Sequence, residues 1–376
     1  MARILEFADA LKETHTSRRH LLLGNGFSIA LFPNIFRYGA LLDSADFTNV
    51  PEARNVFDLL GTTDFEAVIQ ALRHSASVLP VYSSDAAAAA TMTRHAEALK
   101  EILVRAIAAA HPARPSEVTE DQYVACRTFL ANFVGASRIL QNGKKVDLRG
   151  NIYTLNYDLL LYWTLLHDQV VRWDASDPLA SFVVQTEELE HDDGFRAPES
   201  DPNAAYVTWD AEGRASSTQS IHFLHGGLHL FDYGAELQKR CWERSGGVPL
   251  IDQIRAALND DKFPLYVAEG TTAAKLSRIR HSGYLQRSLK SFAEIARKPD
   301  AALFVFGHSL AANDAHVLGR ISKGKISSVY VSFYGDPKSS DNRDLVARAE
   351  KLASERDESA PLDIALYDAE SAHVWG

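Results

Sequence analysis

The sequence predicts an α/β fold in which a parallel sheet is covered by helices on both faces. Short apolar segments typical of buried strands alternate along the chain with segments of helical periodicity. Several of these strands are followed directly by turns that contain glycine, asparagine or histidine. A run of three helices interrupts the alternation. Residues 64–145 are therefore predicted to be an inserted helical subdomain, and residues 1–63 and 146–376 to be the sheet domain.

The first half of the chain contains two predicted strand–turn–helix units, one on each side of the helical block. Residues 20–23 and 151–155 are short apolar segments, as expected of central strands in a parallel sheet. The helices of the block are predicted from apolar residues at helical spacing and from a high alanine content. They begin near residue 64 and span residues 85–110 and 120–140, with Asn142-Gly143 closing the last.

The second half of the chain contains more alternating strands and helices, which are predicted to extend the same parallel sheet. Residues 168–220 differ because they are rich in Asp, Glu, Ser and Pro, and they are predicted to be a surface excursion with strand character near residues 182–184. Strands are predicted at 221–231 (broken by Gly226-Gly227), 265–267, 302–306, 328–333 and 362–367, and helices at 271–298, 314–321 and 341–355.

Composition excludes several classes of protein. With 49 acidic and 39 basic residues the net charge is -10, which argues against a broad nucleic-acid-binding surface. The two cysteines, Cys126 and Cys241, are too few for a four-cysteine zinc site or a disulfide framework. The apolar run at 159–166 is far shorter than the ~20 residues of a membrane-spanning helix, and the N-terminus has charges where a secretory signal is apolar. We therefore expect a cytoplasmic protein that does not bind a membrane.

Two turns in the first half of the chain carry candidate ligand-binding residues, because open α/β sheets bind ligands at the carboxyl ends of their strands. In residues 24–28, Gly-Asn-Gly-Phe-Ser, the glycines could let a phosphate approach the backbone, or they could simply form a tight turn. Ile29 stands where a dehydrogenase fingerprint has its third glycine. In residues 154–158, Asn156 could hold a ribose hydroxyl or a water molecule, whereas Asp158 is expected to cap the next helix.

Two turns in the second half complete the set. His225, beside Gly226-Gly227, has a pKa suited to proton transfer, although a structural histidine at a strand end is the alternative. His222 and His229 flank it, but the glycines argue against a helical zinc pair, so no metal site is predicted. The turn at 307–310 offers backbone donors and the hydroxyl of Ser309, or else it is an ordinary turn whose helix is capped by Asp314.

Taken in order, these turns resemble the motifs of the sirtuin-like superfamily, in its bacterial NAD-consuming branch. The motifs of that family are Gly-x-Gly-x-Ser, Thr-x-Asn-Tyr-Asp, Lys/Leu-His-Gly and Gly-(Tyr/His)-Ser-Leu-x-x-x-Asp. The resemblance spans about residues 20–335. The matching positions are Gly24, Gly26 and Ser28; Thr154, Asn156, Tyr157 and Asp158; His225 and Gly226; and Gly307, Ser309, Leu310 and Asp314.

The resemblance implies a Rossmann-like nucleotide domain with a helical insertion between the first two motifs, and NAD as the ligand. It assigns Asn156 and His225 as catalytic residues. Asn25 replaces a small alanine of the family pattern, and the zinc-binding cysteine quartet of the protein-deacetylating sirtuins is absent, which argues against deacetylation and against bound zinc. The implied NAD-binding residues are Gly24, Asn25, Gly26, Ser28, Thr154, Asp158, Gly226, Gly307, Ser309 and Asp314.

The expected activity is that of an NAD+ glycohydrolase, which cleaves the nicotinamide–ribose bond to give nicotinamide and ADP-ribose. Asn156 would position the ribose and a water molecule, and His225 would act as the general base. The resemblance further suggests an antiphage or toxin effector, gated by homo-oligomerisation or by a partner protein. The alternative is a non-hydrolytic sensor that binds NAD or ADP-ribose, since a sensor needs only the glycine turns.

Overall fold

A seven-stranded parallel sheet lies at the centre of the computed structural model, which describes residues 3–135, 138–139, 145–173, 181–213, 218–241 and 247–376. The strand order is β1-β15-β14-β13-β2-β5-β10, and every neighbouring pair is parallel. The strands, in chain order, are β1 (Arg3–Leu5), β2 (Arg18–Leu23), β3 (Arg138–Ile139), β4 (Lys145–Val146), β5 (Ile152–Thr154), β6 (Gln169–Trp173), β7 (Ser181–Gln185), β8 (Phe195–Arg196), β9 (Tyr206–Trp209), β10 (Ile221–Phe223), β11 (Leu230–Asp232), β12 (Leu237–Arg240), β13 (Ala301–Phe306), β14 (Ser328–Phe333) and β15 (Asp363–Asp368).

Helices cover this sheet, which confirms the predicted α/β class and a Rossmann-like arrangement. Short 3₁₀ turns lie at Pro115–Glu117, Ala312–Asp314 and Glu370–Ala372. The α-helices are α1 (Phe7–Glu13), α2 (Gly26–Leu31), α3 (Pro33–Phe36), α4 (Tyr38–Ser44), α5 (Pro51–Leu60), α6 (Phe65–Tyr82), α7 (Ala86–Ala110), α8 (Glu120–Val134), α9 (Leu160–Leu166), α10 (Leu250–Asn259), α11 (Thr272–Arg280), α12 (Gly283–Ile295), α13 (Ala315–Ser322) and α14 (Ser340–Ser354).

Strand β13 and the second half of strand β2 are apolar because both of their faces are covered. Leu21, Leu22 and Leu23 of β2 are completely buried, and each contributes about 1.5–3 kcal/mol to stability by leaving water. All six residues of β13 are buried as well. The core of the molecule therefore lies on both sides of these strands, as the continuous apolar runs predict.

The three long helices of the predicted helical block pack in two different places. Helices α6 and α7 pack against each other, whereas α8 covers the sheet. The ring of Phe129 on α8 lies 5.4 Å from the rings of Phe7 and Phe306, and the ring of Phe133 lies 5.5 Å from that of Phe304. Helix α8 ends at Val134, before the predicted end at residue 140, and the predicted closing pair at 142–143 lies outside the described residues. The division of the chain into two domains stays a prediction.

Several boundaries predicted in the second half need correction. The single helix predicted at 271–298 is two helices, because the Ser282 hydroxyl accepts the Leu285 N–H and caps the start of α12. The strand predicted at 265–267 is reduced to one bridge between Tyr266 and Gly226. The segment at 221–231 is two strands in different sheets, β10 and β11, separated at the predicted glycine pair.

The predicted excursion at 168–220 contains strands in its described part. Strands β6 and β7 pair with each other, which confirms strand character near residues 182–184. Strands β8 and β9 join β11 and β12 in a separate four-stranded antiparallel sheet. Within the described part of the chain, none of the helices combines the length and apolar character that crossing a bilayer demands.

Candidate active site

The four predicted turns meet because their strands are neighbours. In the sheet the order β13-β2-β5-β10 places the carboxyl ends of all four strands side by side. A cavity of about 1030 Å³ lies there, at the edge where open α/β sheets bind ligands. Of the residues implied by the resemblance, those that line this cavity are Gly24, Asn25, Gly26, Asn156, Asp158, His225, Gly307, Ser309 and Asp314.

Three of the NAD-binding residues implied by the resemblance do not line the cavity but stabilise the turns next to it. The Ser28 hydroxyl donates to Asp158 Oδ2 at 2.6 Å, and the Thr154 hydroxyl accepts the Asn156 N–H at 3.0 Å. Gly226 has a φ of +80°, and a Cβ there would lie 2.0 Å from the Leu265 carbonyl oxygen. Direct contact of these three residues with a ligand stays a prediction.

Two glycines let the turn at residues 24–28 and the turn at residues 307–310 touch through their backbones. The Gly26 N–H donates to the Gly307 carbonyl oxygen at 2.8 Å. A Cβ on Gly26 would lie 2.5 Å from the Gly307 Cα, and Gly307 itself has a φ of +67°. A side chain at either position would push the turns apart, so both glycines are explained by this close approach whether or not a phosphate also binds.

Asn156 is held by a chain of hydrogen bonds that begins on a helix. The Asp158 carboxylate accepts the Leu160 N–H at 2.9 Å on one oxygen and the Ser28 hydroxyl on the other. Ser28 in turn accepts from Asn156 Nδ2 at 3.0 Å. The Asn156 carboxamide is therefore fixed by its nitrogen beside the cavity, and its oxygen has no partner among the described residues. Asp158 does bind the first turn of α9 as predicted, although α9 begins one residue later than expected.

His225 is paired with a second imidazole that the motifs do not include. The Nε2 atoms of His225 and His316 lie 2.8 Å apart, and the two rings are stacked. Burial and the Lys275 ammonium lower the pKa of His225 well below its usual value, and burial lowers the pKa of His316 to about 4. Both rings are therefore neutral at pH 7, and one Nε2–H donates to the other Nε2.

Asp314 connects this histidine pair to a buried ion cluster. Its Oδ1 lies 3.8 Å from His225 Nε2 and accepts from Lys275 Nζ at 2.8 Å, while its Oδ2 accepts from His308 Nε2 at 3.0 Å. Burial alone would raise the pKa of Asp314, but His308 and Lys275 hold it well below its usual value. Asp314 is thus an anion at neutral pH. It stands at the start of α13, yet its side chain makes no capping hydrogen bond, so that predicted alternative is wrong.

Lys275 is completely buried and neutralises two carboxylates. Its Nζ lies 2.7 Å from Glu66 Oε2 and 2.8 Å from Asp314 Oδ1. Burial acts to lower the pKa of Lys275, but the two carboxylates raise it above its usual value, so the lysine stays charged. Burial raises the pKa of Glu66 to about 7 against the effect of that lysine. Asn313 also donates to Glu66 Oε2, at 2.6 Å.

Replacing Lys275 by methionine is expected to lower the free energy of unfolding by about 3–5 kcal/mol, because two buried carboxylates would lose their cation. Urea denaturation at neutral pH measures this. Lys351→Met is the matched control, since the exposed Lys351–Glu355 pair is worth no more than about 1 kcal/mol. Glu66→Gln should recover part of the loss in the Lys275→Met background. Equal losses in the two methionine variants would show that the buried cluster does not stabilise the fold.

The far end of the cavity is formed by residues without a sequence motif. They follow β14 and β15 and include Tyr334, Asn342 and Glu370. His373 and Trp375 from the end of the chain also line it, and Trp375 Nε1 donates to the Phe27 carbonyl oxygen at 2.8 Å. The cavity therefore extends along the sheet edge from β10 to β15.

Comparison with known proteins identifies the family of this chain but does not assign an activity to it. No curated protein sequence matches this chain. The family described as "Domain of unknown function (DUF4917)" matches residues 21–375, which is almost the whole chain and includes all four turns. On that match, the chain belongs to the DUF4917 family.

Proposed function

We propose that the protein is a sirtuin-like NAD+ glycohydrolase, which cleaves the nicotinamide–ribose bond to give nicotinamide and ADP-ribose. The observation that carries this proposal is that Asn156 and His225, far apart in the chain, line one cavity beside the two touching glycine turns. A volume of about 1030 Å³ is at the upper end of ordinary ligand sites, which suits a dinucleotide.

The reaction passes through a sugar with oxocarbenium-like positive charge, and nicotinamide leaves as a neutral molecule. The protein therefore needs no strong acid. It must hold the ribose, stabilise the positive charge and remove a proton from the attacking water. The Asp314 carboxylate on the cavity wall provides negative potential for that charge.

The neutral His225 imidazole supplies the base. A low pKa keeps it in the form that accepts a proton. Asn156, fixed by Ser28 through its Nδ2, presents its carboxamide oxygen to a ribose hydroxyl or to the attacking water. Once His225 has accepted a proton, the Asp314 carboxylate 3.8 Å away stabilises the resulting imidazolium.

Unrestrained hydrolysis would deplete the NAD of the cell. The proposal therefore includes gating by homo-oligomerisation or by a partner protein, in a cytoplasmic antiphage or toxin effector, as the family resemblance suggests. Nucleic acid is not expected to bind directly.

A second candidate function is a non-hydrolytic sensor of NAD or ADP-ribose. It is favoured by the engagement of both proposed catalytic side chains within the protein, Asn156 with Ser28 and His225 with His316. In a sensor these hydrogen bonds would shape the wall of a binding site and would not have to rearrange.

Incubation of the purified chain with NAD, followed by chromatographic measurement of nicotinamide and ADP-ribose, tests the proposal. We expect the two products in equal amounts, with a rate per chain that rises with protein concentration if self-association opens the gate. Calorimetry run in parallel separates the alternatives. Tight NAD binding without turnover at every protein concentration, even with a partner or trigger present, supports the sensor, and absence of both binding and turnover contradicts both functions.

A further inference from the structure

Three buried side chains, two of them on the cavity wall, converge in a way that hydrolysis alone does not require. His225, Asp314 and His316 each present one potential ligand atom, and these atoms all lie within 4.8 Å of one another. The two Nε2 atoms are 2.8 Å apart, and His225 Nε2 is 3.8 Å from Asp314 Oδ1. Two imidazole nitrogens and one carboxylate oxygen are a donor set typical of catalytic zinc sites.

We propose that His225, Asp314 and His316 bind a divalent transition metal ion of the Zn²⁺ class. An ion in tetrahedral coordination places its ligand atoms about 3.4 Å from one another. The His225–His316 separation of 2.8 Å is shorter than that value and the His225–Asp314 separation of 3.8 Å is longer, while the ligand atoms of Asp314 and His316 lie within 4.8 Å of each other, so the three side chains must shift to coordinate an ion. Imidazole ligands select ions such as Zn²⁺ over Mg²⁺ and Ca²⁺, which prefer oxygen.

The surroundings orient the carboxylate ligand. His308 Nε2 donates to Asp314 Oδ2 at 3.0 Å, and Lys275 Nζ donates to Oδ1 at 2.8 Å, in the manner of the outer hydrogen bonds of metal sites. The positive charge of Lys275 opposes the ion, but Glu66 lies 2.7 Å from that ammonium and offsets it. His225 and Asp314 line the cavity, so an ion has a path of entry to the triad.

Metal at this position would inhibit the proposed hydrolase, and this consequence rests on the proposed function. A neutral imidazole bound to a metal through one nitrogen carries its proton on the other nitrogen. His225 would then have no lone pair to accept a proton from water or ribose. The bound ion would therefore inhibit hydrolysis, and removal of the ion would restore activity.

Calorimetric titration of Zn²⁺ into the full, chelator-treated chain, without NAD, tests the site directly. We expect one Zn²⁺ per chain, with Mg²⁺ giving no comparable binding. His316→Asn and His225→Asn should each weaken Zn²⁺ binding by about 100-fold or more. His373→Asn is the matched control, because His373 also lines the cavity, is exposed, and has a φ of +44° that asparagine tolerates.

Zinc affinity that is unchanged in both ligand variants would overturn the proposal, as would the loss of zinc binding in His373→Asn. Thermal unfolding checks that each variant folds. If neither ligand variant folds, the anomalous signal of a zinc-soaked wild-type crystal decides, since the ion must lie within bonding distance of both Nε2 atoms. Zinc binding at the triad of a chain without hydrolase activity would support the metal site and contradict the proposed function. Hydrolysis of NAD by a chain that binds no zinc at the triad would support the proposed function and contradict the metal site.

Discussion

His225→Ala is expected to lower kcat/KM for NAD hydrolysis by about 10²–10⁴-fold in metal-free buffer, which is the usual contribution of a positioned general base. The alanine removes both the base and its hydrogen bond to His316. Nicotinamide release measures the loss. Calorimetric NAD affinity should change much less, because the glycine turns and the far end of the cavity are untouched.

Asn156→Ala is expected to lower kcat/KM for NAD hydrolysis by a similar factor. Ser28→Ala is the matched control variant for it. Ser28→Ala removes the same Asn156–Ser28 hydrogen bond but leaves the carboxamide in place. If the carboxamide acts on the ribose or on water, Asn156→Ala should reduce kcat far more than Ser28→Ala. Equal reductions would instead assign Asn156 a purely structural role within the hydrogen-bond chain that ends on Asp158.

A control at the far end of the cavity makes the His225 result specific. His373→Asn changes another imidazole that lines the cavity, and within the described residues no hydrogen bond joins His373 to Asp314 or His316. It should retain most of the wild-type kcat. Full activity in His225→Ala, or an equal loss in His373→Asn, would contradict the assignment of His225 as the base.

The sequence predicts six of the seven strands of the sheet, because a buried parallel strand is nearly continuous in apolar residues. Strand β1 at Arg3–Leu5 was not predicted, since it is a short strand at the edge of the sheet and is largely exposed. Strand β14 at Ser328–Phe333 has the predicted bounds, and β2, β13 and β15 differ from prediction by one or two residues. The ends and packing of helices are predicted less accurately than the strands. The break between α11 and α12 depends on the hydroxyl of one serine, Ser282. The packing of α8 on the sheet depends on contacts between phenylalanines that are distant in the chain.

The candidate site could be predicted in part for a related reason. Glycine and asparagine turns after strands are local features, and parallel strands bring them to one edge of the sheet. The ion cluster has no such local signature. Glu66 lies on α6 and Lys275 on α11, and only the folded chain brings them within 2.7 Å. His316 follows Asp314 by two residues. This closeness in sequence to the fourth motif is the signal that could have pointed to His316 as a site residue.

Mild acid is expected to destabilise the protein strongly, because several histidines are buried in neutral form. Burial lowers the pKa of His20, His222 and His229 to about 3, and burial lowers that of His111 to about 4. Two of them accept backbone hydrogen bonds that protonation would break. His20 Nδ1 accepts the Asn151 N–H at 2.9 Å, and His111 Nε2 accepts the Leu159 N–H at 3.1 Å.

Acid destabilises the protein because these histidines have a lower pKa in the folded chain than in the unfolded chain. The unfolded chain takes up protons on these side chains below its ordinary histidine pKa of about 6.5, whereas the folded chain does not until pH 4 or 3. Stability is therefore complete above that unfolded pKa and is lost as the pH falls through this window, by about 2 kcal/mol per histidine at pH 5. Glu66, with its pKa raised to about 7, acts in the opposite direction by about 2 kcal/mol.

The net loss for the four histidines and Glu66 is about 6 kcal/mol between roughly pH 7.5 and pH 5, comparable to the whole stability of many domains. Urea denaturation across this range measures it. His229→Phe provides the internal test, because His229 lies between the rings of Tyr162 and Phe223, and neither of its nitrogens has a hydrogen-bond partner within the described residues. Phenylalanine keeps the ring contacts and removes one titrating group, so the variant should lose about 2 kcal/mol less than the wild type. Identical pH dependence in the two proteins would mean that His229 is protonated equally in the folded and unfolded chains, and that burial of neutral imidazoles does not set the acid limit of this fold.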